Sequence, residues 1–329
     1  MGQARAVQCT AFGEPEDLVL RDVELPAPGA GEVRVKLRAA GINFADGLVI
    51  AGKYQLKPSL PFTPGFEGAG DVVELGPGVD GLTPGQRVAV LVRPGGCYAT
   101  EIVTRAEAVT PIPDGTDYVT AACLPVTYGT AHLALDHRGG LRPGETLLVT
   151  GAAGGVGIAA VEVGKALGAR VIAAARGADR LDIARAHGVD EAIDYAAENL
   201  RDRVEALTDG HGADVIFEAV GGDVFDQCVR AVAWEGRLLV IGFASGRIPS
   251  VPANLVLVKN FSVIGVDFGA HMDRHAGSMR ASIGELLAWH AAGRLKPRVS
   301  ATYRLEDAAR ALRELMARRA TGKTALVMD

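Results

Sequence analysis

One stretch limits what this chain can fold into more than any other: Glu145 to Arg180, ETLLVTGAAGGVGIAAVEVGKALGARVIAAARGADR. It begins with the apolar run Leu147-Leu148-Val149-Thr150, bounded by Pro143-Gly144 and by Gly151, which is the pattern of a buried strand. A glycine-dense turn follows, then Val156 to Leu167 with Val156, Ala160, Val163 and Leu167 at helical spacing. Gly168 closes that helix, and Arg170 to Ala175 is a second buried strand. Strand, glycine turn, helix and strand within about thirty residues make a βαβ unit.

The turn has a physical job. A helix N-terminus carries unpaired N–H groups and a partial positive charge, so it attracts a pyrophosphate, and side chains on the turn would hold the phosphates away. The six fingerprint positions are Ala152-Ala153-Gly154-Gly155-Val156-Gly157, with alanine in place of the first glycine. A dinucleotide is therefore expected here, with Ala153, Gly154, Gly155 and Val156 at its phosphates. The second strand ends at Arg176-Gly177-Ala178-Asp179-Arg180, where proteins that use NAD place an acid for the ribose 2′-hydroxyl. A carboxylate ~4 Å from a 2′-phosphate costs on the order of 4 kcal/mol at an effective dielectric of about 20, whereas an arginine fork binds it. Arg176 and Arg180 thus predict NADPH over NADH, the alternative being a solvated helix start with Asp179 capping or opening it.

At 329 residues the chain is too long for one compact α/β domain of ordinary size, so two domains are expected. A net charge of −5 argues against nucleic acid or an anionic membrane as partner. No apolar run approaches the ~20 residues of a membrane span, and MGQARAVQCT lacks the apolar core of a secretory signal. Cys9, Cys97, Cys123 and Cys228 are far apart and form no metal or redox pair; a reducing, cytoplasmic setting is expected. Residues 1 to 125 are rich in short strands punctuated by Pro28-Gly29, Gly76-Pro77-Gly78 and Pro84-Gly85, which suggests a small barrel or sandwich-like domain. From 126 to 269 strands and helices alternate: a doubly wound parallel sheet, with ligands at the carboxyl ends of its strands. Those ends include Gly242-Phe243 and Val266-Asp267-Phe268. The tail, 270 to 329, has a long helix from Ser278 to Ala292, a strand to Tyr303, a helix Glu306 to Arg318 and a closing strand Thr324 to Met328. It is expected to return to the first domain.

The runs GINFADGLVIAGKYQLKPSLPFTPGFEGAGDVVELGPGV, LPVTYGTAHLAL, GAAGGVG and VIGFASG resemble the zinc-independent quinone oxidoreductase (zeta-crystallin-like) branch of the medium-chain dehydrogenases/reductases, over nearly the whole chain. The resemblance implies an α/β protein with a GroES-like β-rich catalytic domain, a Rossmann cofactor domain, NADPH, and a homodimer through the cofactor domains. Zinc-dependent relatives have Cys where this chain has Asn43 and His where it has Phe66, in Gly65-Phe66-Glu67. Neither replacement suits zinc, and the four close cysteines of the structural-zinc lobe are absent. His271 and His275 have a helical ligand spacing without an evident third ligand, and a solvated helix start is the better reading. No metal is expected.

Hydride transfer from NADPH to an acceptor that needs little Lewis-acid help remains, and the leading expectation is a quinone. An enone or enoyl thioester reduced at its C=C bond is the alternative, and a non-catalytic NADPH-binding sensor or structural protein is an alternative of another class. Asn43, Asp46 and Tyr54 match family positions expected at the reactive centre; Tyr54 is the best candidate for a cofactor contact or proton donor. Asn43 could equally bond the loop backbone, and Asp46 could equally cap the helix ADGLVIA. By resemblance Thr127 is a cofactor contact, Tyr195 touches the adenosine phosphate, and Lys323 lies near the pyrophosphate or is a plain surface lysine. Gly242, Phe243, Val266 and Phe268 complete the expected cofactor wall.

Overall fold

A computed structural model describes residues 2–317 and 320–328. The chain divides into two units, Met1–Val126 with His271–Gly293 and Pro297–Asp329, and Thr127–Ala270 with Arg294–Lys296.

The first unit opens with β1 (Gly2–Gln8) and β2 (Val19–Leu25), paired antiparallel as a ribbon. It continues through β3 (Glu32–Ile42), α1 (Phe44–Ile50), β4 (Glu67–Leu75), β5 (Arg87–Leu91), β6 (Glu101–Arg105), β7 (Val109–Pro111) and α2 (Tyr118–Cys123). β3 shows why a strand forms here: Val33, Val35 and Leu37 alternate inward while Lys36 stays exposed, the two-residue period of a half-buried sheet. Its last residues, Ala39 to Ile42, are all buried, so the strand runs into the interior before the chain turns at Asn43 into α1.

The second unit carries α3 (Pro125–His132), which continues as a π-helical turn (Leu133–Arg138), then β8 (Thr146–Thr150), α4 (Gly155–Ala166), β9 (Arg170–Ala175), α5 (Ala178–Ala186), β10 (Glu191–Asp194), α6 (Leu200–Leu207), β11 (Ala213–Glu218), α7 (Gly222–Ala231), β12 (Val232–Val240), α8 (Ala253–Lys259) and β13 (Ser262–Gly265). The six strands run parallel in the order β10-β9-β8-β11-β12-β13. That is the doubly wound order, with its reversal between β8 and β11. β8 is buried at every residue, as a strand covered by helices on both faces must be. Gly157 lets α4 lie against the turn, because a Cβ there would meet Gly151 O at 2.2 Å and Ala152 Cα at 2.8 Å.

The chain ends with α9 (Phe268–Arg274), α10 (Ala276–Ala291), β14 (Val299–Arg304), α11 (Ala308–Met316) and β15 (Lys323–Val327). β15 pairs antiparallel with β3, Thr324 opposite Ile42, so the tail completes a seven-stranded mixed sheet in the first unit. A GroES-like unit and a Rossmann-type unit are thus present, as the sequence predicts. Several elements differ from expectation, among them α9, which ends at Arg274 as a helix separate from α10. The helix expected to reach Ala233 stops at Ala231, and Val232 and Ala233 open β12 with their side chains in the core. β7 and α8 have no counterpart in the sequence reading; the run Leu255-Val256-Leu257-Val258 in α8 has strand composition, not helical spacing. The expected end of the last helix at Arg318 lies outside the described residues.

Candidate active site

The carboxyl edge of the second unit's sheet gathers the residues expected to hold a dinucleotide. Gly154 is the N-cap of α4 in an extended conformation, and no side chain caps it, so the first-turn amides of this helix keep the partial positive charge for a ligand. Ala153 is buried behind them. At the ends of β9 and β10, Arg176 and Arg180 are exposed and Tyr195 is half-buried. Burial raises the Tyr195 hydroxyl above its ordinary value while the charges of Arg176 and Arg180 pull it back, so the three expected 2′-phosphate groups share one neighbourhood. Asp194 holds the loop between them: its Oδ1 accepts the Gly177 N–H at 3.0 Å and the Ala196 N–H at 2.9 Å, and these bonds keep the carboxyl below its usual range. Asp179 lies in the first turn of α5, whose N-cap is Gly177, so of its two expected roles it opens the helix and does not cap it. Farther along the edge, Phe243 is exposed at 39% and Gly242, Val266 and Phe268 are half-buried; Thr127 is buried.

Sequence reasoning missed Glu218. This carboxylate is fully buried at the end of β11, beside the sheet's reversal point. Its Oε1 accepts from Thr150 Oγ1 at 3.1 Å, the Val220 N–H at 2.9 Å and the Gly221 N–H at 2.9 Å. Thr150 Oγ1 in turn accepts the Ala219 N–H at 3.1 Å. Glu218 therefore ties the end of β8, directly before the glycine turn, to the loop after β11. Burial raises its pKa, against the pull of the loop N–H groups and the Thr150 hydroxyl. A lone acid closing an apolar strand before Gly221-Gly222 was the available signal.

In the first unit, Asn43, Asp46, Glu67, Tyr98 and Lys323 form a buried polar cluster. Asn43 is the N-cap of α1, and its backbone N–H donates to Asp46 Oδ2 at 2.7 Å in a reciprocal capping box. Tyr98 OH donates to the same oxygen at 2.9 Å, and Asp46 Oδ1 is buried without a partner. Burial pushes the Asp46 carboxyl up to about 7, against those two hydrogen bonds and the charge of Lys323. Asn43 Nδ2 donates to Glu67 Oε1 at 3.0 Å, and the Val126 N–H donates to Glu67 Oε2 at 2.7 Å. Gly41 makes room for that carboxylate, since a Cβ there would meet Glu67 Oε1 at 2.4 Å.

These contacts sort the expected roles. Asp46 takes the helix-capping role, and Asn43 engages Glu67 and Lys323 with its side chain in addition to its place in the capping box. Lys323 departs from expectation. Its ammonium donates to Ile42 O at 2.9 Å, Asn43 Oδ1 at 2.7 Å and Glu67 Oε1 at 2.5 Å, and the residue is 4% exposed. All three ammonium hydrogens are used, so no donor is left for a pyrophosphate, and Lys323 is no surface lysine. Tyr54 is half-buried against the core, its ring 6.5 Å from that of Phe66, which is itself buried. His271 and His275 stack at 4.6 Å, and among the described residues no group of three or more His, Cys, Asp or Glu is arranged to hold a metal.

Comparison with known proteins agrees with both units. The alcohol dehydrogenase GroES-like domain matches residues 29–114, and the zinc-binding dehydrogenase family matches residues 155–283. The quinone oxidoreductase-like protein 2 homolog of Nematostella vectensis is 44% identical over 98% of this chain and 88% of its own length. A quinone oxidoreductase of Pseudomonas aeruginosa is 37% identical over 98% of this chain and 99% of its own. The crystal structure of Escherichia coli quinone oxidoreductase complexed with NADPH superposes with a TM-score of 0.91 at 28% identity, covering 98% of this chain and 100% of that one. With a dinucleotide edge in one unit, a capped polar cluster in the other and relatives along its whole length, this chain belongs to the quinone oxidoreductase family of the medium-chain dehydrogenases/reductases.

Proposed function

We propose that this oxidoreductase is a zinc-independent enzyme that transfers hydride from NADPH to a quinone. The observation that carries the reading is the closed polar cluster of the first unit. A metal that polarises an alcohol needs open donors, and the candidates here are Asn43, an apolar Phe66 and a Glu67 already bonded by Lys323, Asn43 and the Val126 N–H. Zinc does not fit this donor set. The acceptor must then be one that takes hydride without a Lewis acid, and a quinone satisfies this.

NADPH supplies the hydride when bound. The amides of Gly155 and Val156 at the start of α4 would hold its pyrophosphate, and Arg176, with Arg180 and Tyr195, would hold the 2′-phosphate that distinguishes it from NADH. Phe243, Val266 and Phe268 would wall the nicotinamide and help to exclude water from it. Tyr54 would donate a hydrogen bond to the oxygen on which negative charge develops and is the candidate proton source. The free edge of β13 and the exposed Leu257 (79%) and Val258 (61%) of α8 support a homodimer through the second units. Among the described residues no helix is long and apolar enough to cross a membrane. The four buried thiols, their pKa values raised by burial, suit the reducing cytoplasm.

The test is NADPH oxidation by the purified protein against benzoquinone, naphthoquinone, hexenal and crotonyl-CoA. Turnover mainly with quinones is expected. Preference for the enal or the thioester would reassign the chain to C=C reduction, and NADPH binding without turnover on any acceptor would make it a binding protein.

A further inference from the structure

The lysine of the buried cluster ties together the chain's own polar groups. Lys323 comes from β15, the last strand of the chain, and reaches the point where β3 ends and α1 begins. Thr324, its neighbour, stands opposite Ile42 in the β15–β3 ladder, which sets the ammonium beside the Ile42 carbonyl. From there it also reaches Asn43 Oδ1 and Glu67 Oε1. Asn43 is consequently gripped on three sides. Its backbone N–H goes to Asp46, its Nδ2 goes to Glu67, and its Oδ1 accepts from Lys323. Glu67 is 0% exposed, and Lys323 is the basic group paired with it.

We propose that Lys323 is a positioning residue: an internal cation that neutralises Glu67 and fixes the Asn43 amide, and with it the start of α1 that leads to Tyr54. The proposal rests on the reading of Asn43 to Tyr54 as the reactive segment. It departs from the zinc-binding family pattern, because the positive charge at Glu67 is built into the chain. A divalent ion placed among Glu67 and Asn43 would face an ammonium that already holds both of them. It departs equally from a phosphate-contact role, because an ammonium with three buried acceptors has nothing left to offer a ligand.

The experiment compares the full chain with Lys323→Met and Lys323→Met/Glu67→Gln. NADPH Kd is read by fluorescence titration, the unfolding midpoint by calorimetry, and kcat and KM with the best quinone separately. Lys323→Met is expected to lower the midpoint and to cut kcat about tenfold or more while NADPH Kd stays within about twofold. The double variant, with both charges removed, is expected to recover the midpoint but not kcat, since Asn43 Oδ1 still lacks the Lys323 ammonium that fixes it. Should Lys323→Met fail to fold, the double variant alone carries the comparison. A rise of about tenfold or more in NADPH Kd in either variant would overturn the proposal in favour of a phosphate contact. Recovery of kcat together with the midpoint would overturn it in favour of a purely structural pair. Absence of turnover in the unmodified protein would sink the reductase reading, and with it the positioning role that rests on it.

Discussion

The two polar regions of this molecule use positive charge in opposite ways. On the second unit's carboxyl edge, Arg176 and Arg180 stand exposed near Tyr195. In the first unit, Lys323 is buried and saturated by Glu67, Asn43 and a backbone carbonyl. An exposed cation costs the fold little and can be spent on a ligand. A buried one must be neutralised where it stands, and its partners are then committed too. Basic residues at family positions are therefore not interchangeable as phosphate contacts; burial decides which of them have a donor to give.

The sharpest way to break this contrast is to remove the buried counter-charge. Glu67→Ala leaves Lys323 inside without its partner and should destabilise the protein by about 3–5 kcal/mol. Denaturant unfolding followed by far-UV circular dichroism reads this, and a loss below about 1 kcal/mol would mean that the pair is not a closed one. On the open edge the same kind of charge deletion should spare the fold. Arg176→Asp should weaken NADPH by about 10- to 100-fold, the worth of a charge-assisted contact, with NADH binding and unfolding midpoint nearly unchanged. An unchanged NADPH:NADH ratio would put the 2′-phosphate elsewhere.

Glu218 lies between these extremes, buried like Glu67 but at the cofactor edge. Glu218→Ala leaves the Val220 and Gly221 N–H groups without their acceptor, so a loss of about 1–3 kcal/mol of stability is expected together with weaker NADPH binding. Stability loss with unaltered binding would confine Glu218 to the fold. The smallest effect concerns Asp46. Its folded-state pKa of about 7 is above the ordinary carboxyl value, so the folded protein binds the extra proton and the ionised form is disfavoured. The stability tied to this group is complete below about pH 4 and falls away as pH rises through about 7. Asp46→Asn, which does not ionise, should gain on the unmodified protein in melting temperature between pH 5 and pH 8. A constant difference over that range would show that Asp46 is already charged.

The same contrast explains how much the sequence discloses. The βαβ unit from β8 to β9 is legible because its signals, the apolar runs and the glycine turn, lie within one local stretch. Arg176 and Arg180 are legible for the same reason, and so is the Asn43–Asp46 capping box, three residues apart. The partners of Asn43 are not: Glu67 is 24 residues away and Lys323 is 280. Their meeting depends on β15 pairing with β3, which no local pattern announces. Tyr98, 52 residues from Asp46, is hidden likewise. α8 was illegible for a different reason: Leu257 and Val258 point outward, so its apolar residues carry no helical period. Glu218 carried a usable local signal that binary patterning passes over, a single acid at the end of an apolar strand.

In this division of labour the edge arginine is proposed to bind the cofactor while the buried lysine organises the protein. The most direct test is to titrate NADPH and NADH by fluorescence into the unmodified chain, Arg176→Asp and Lys323→Met side by side. The NADPH preference should collapse in Arg176→Asp and persist in Lys323→Met. An equal collapse in both variants would contradict this division, because Lys323 would then be a phosphate ligand and the buried clamp would not describe the protein in solution.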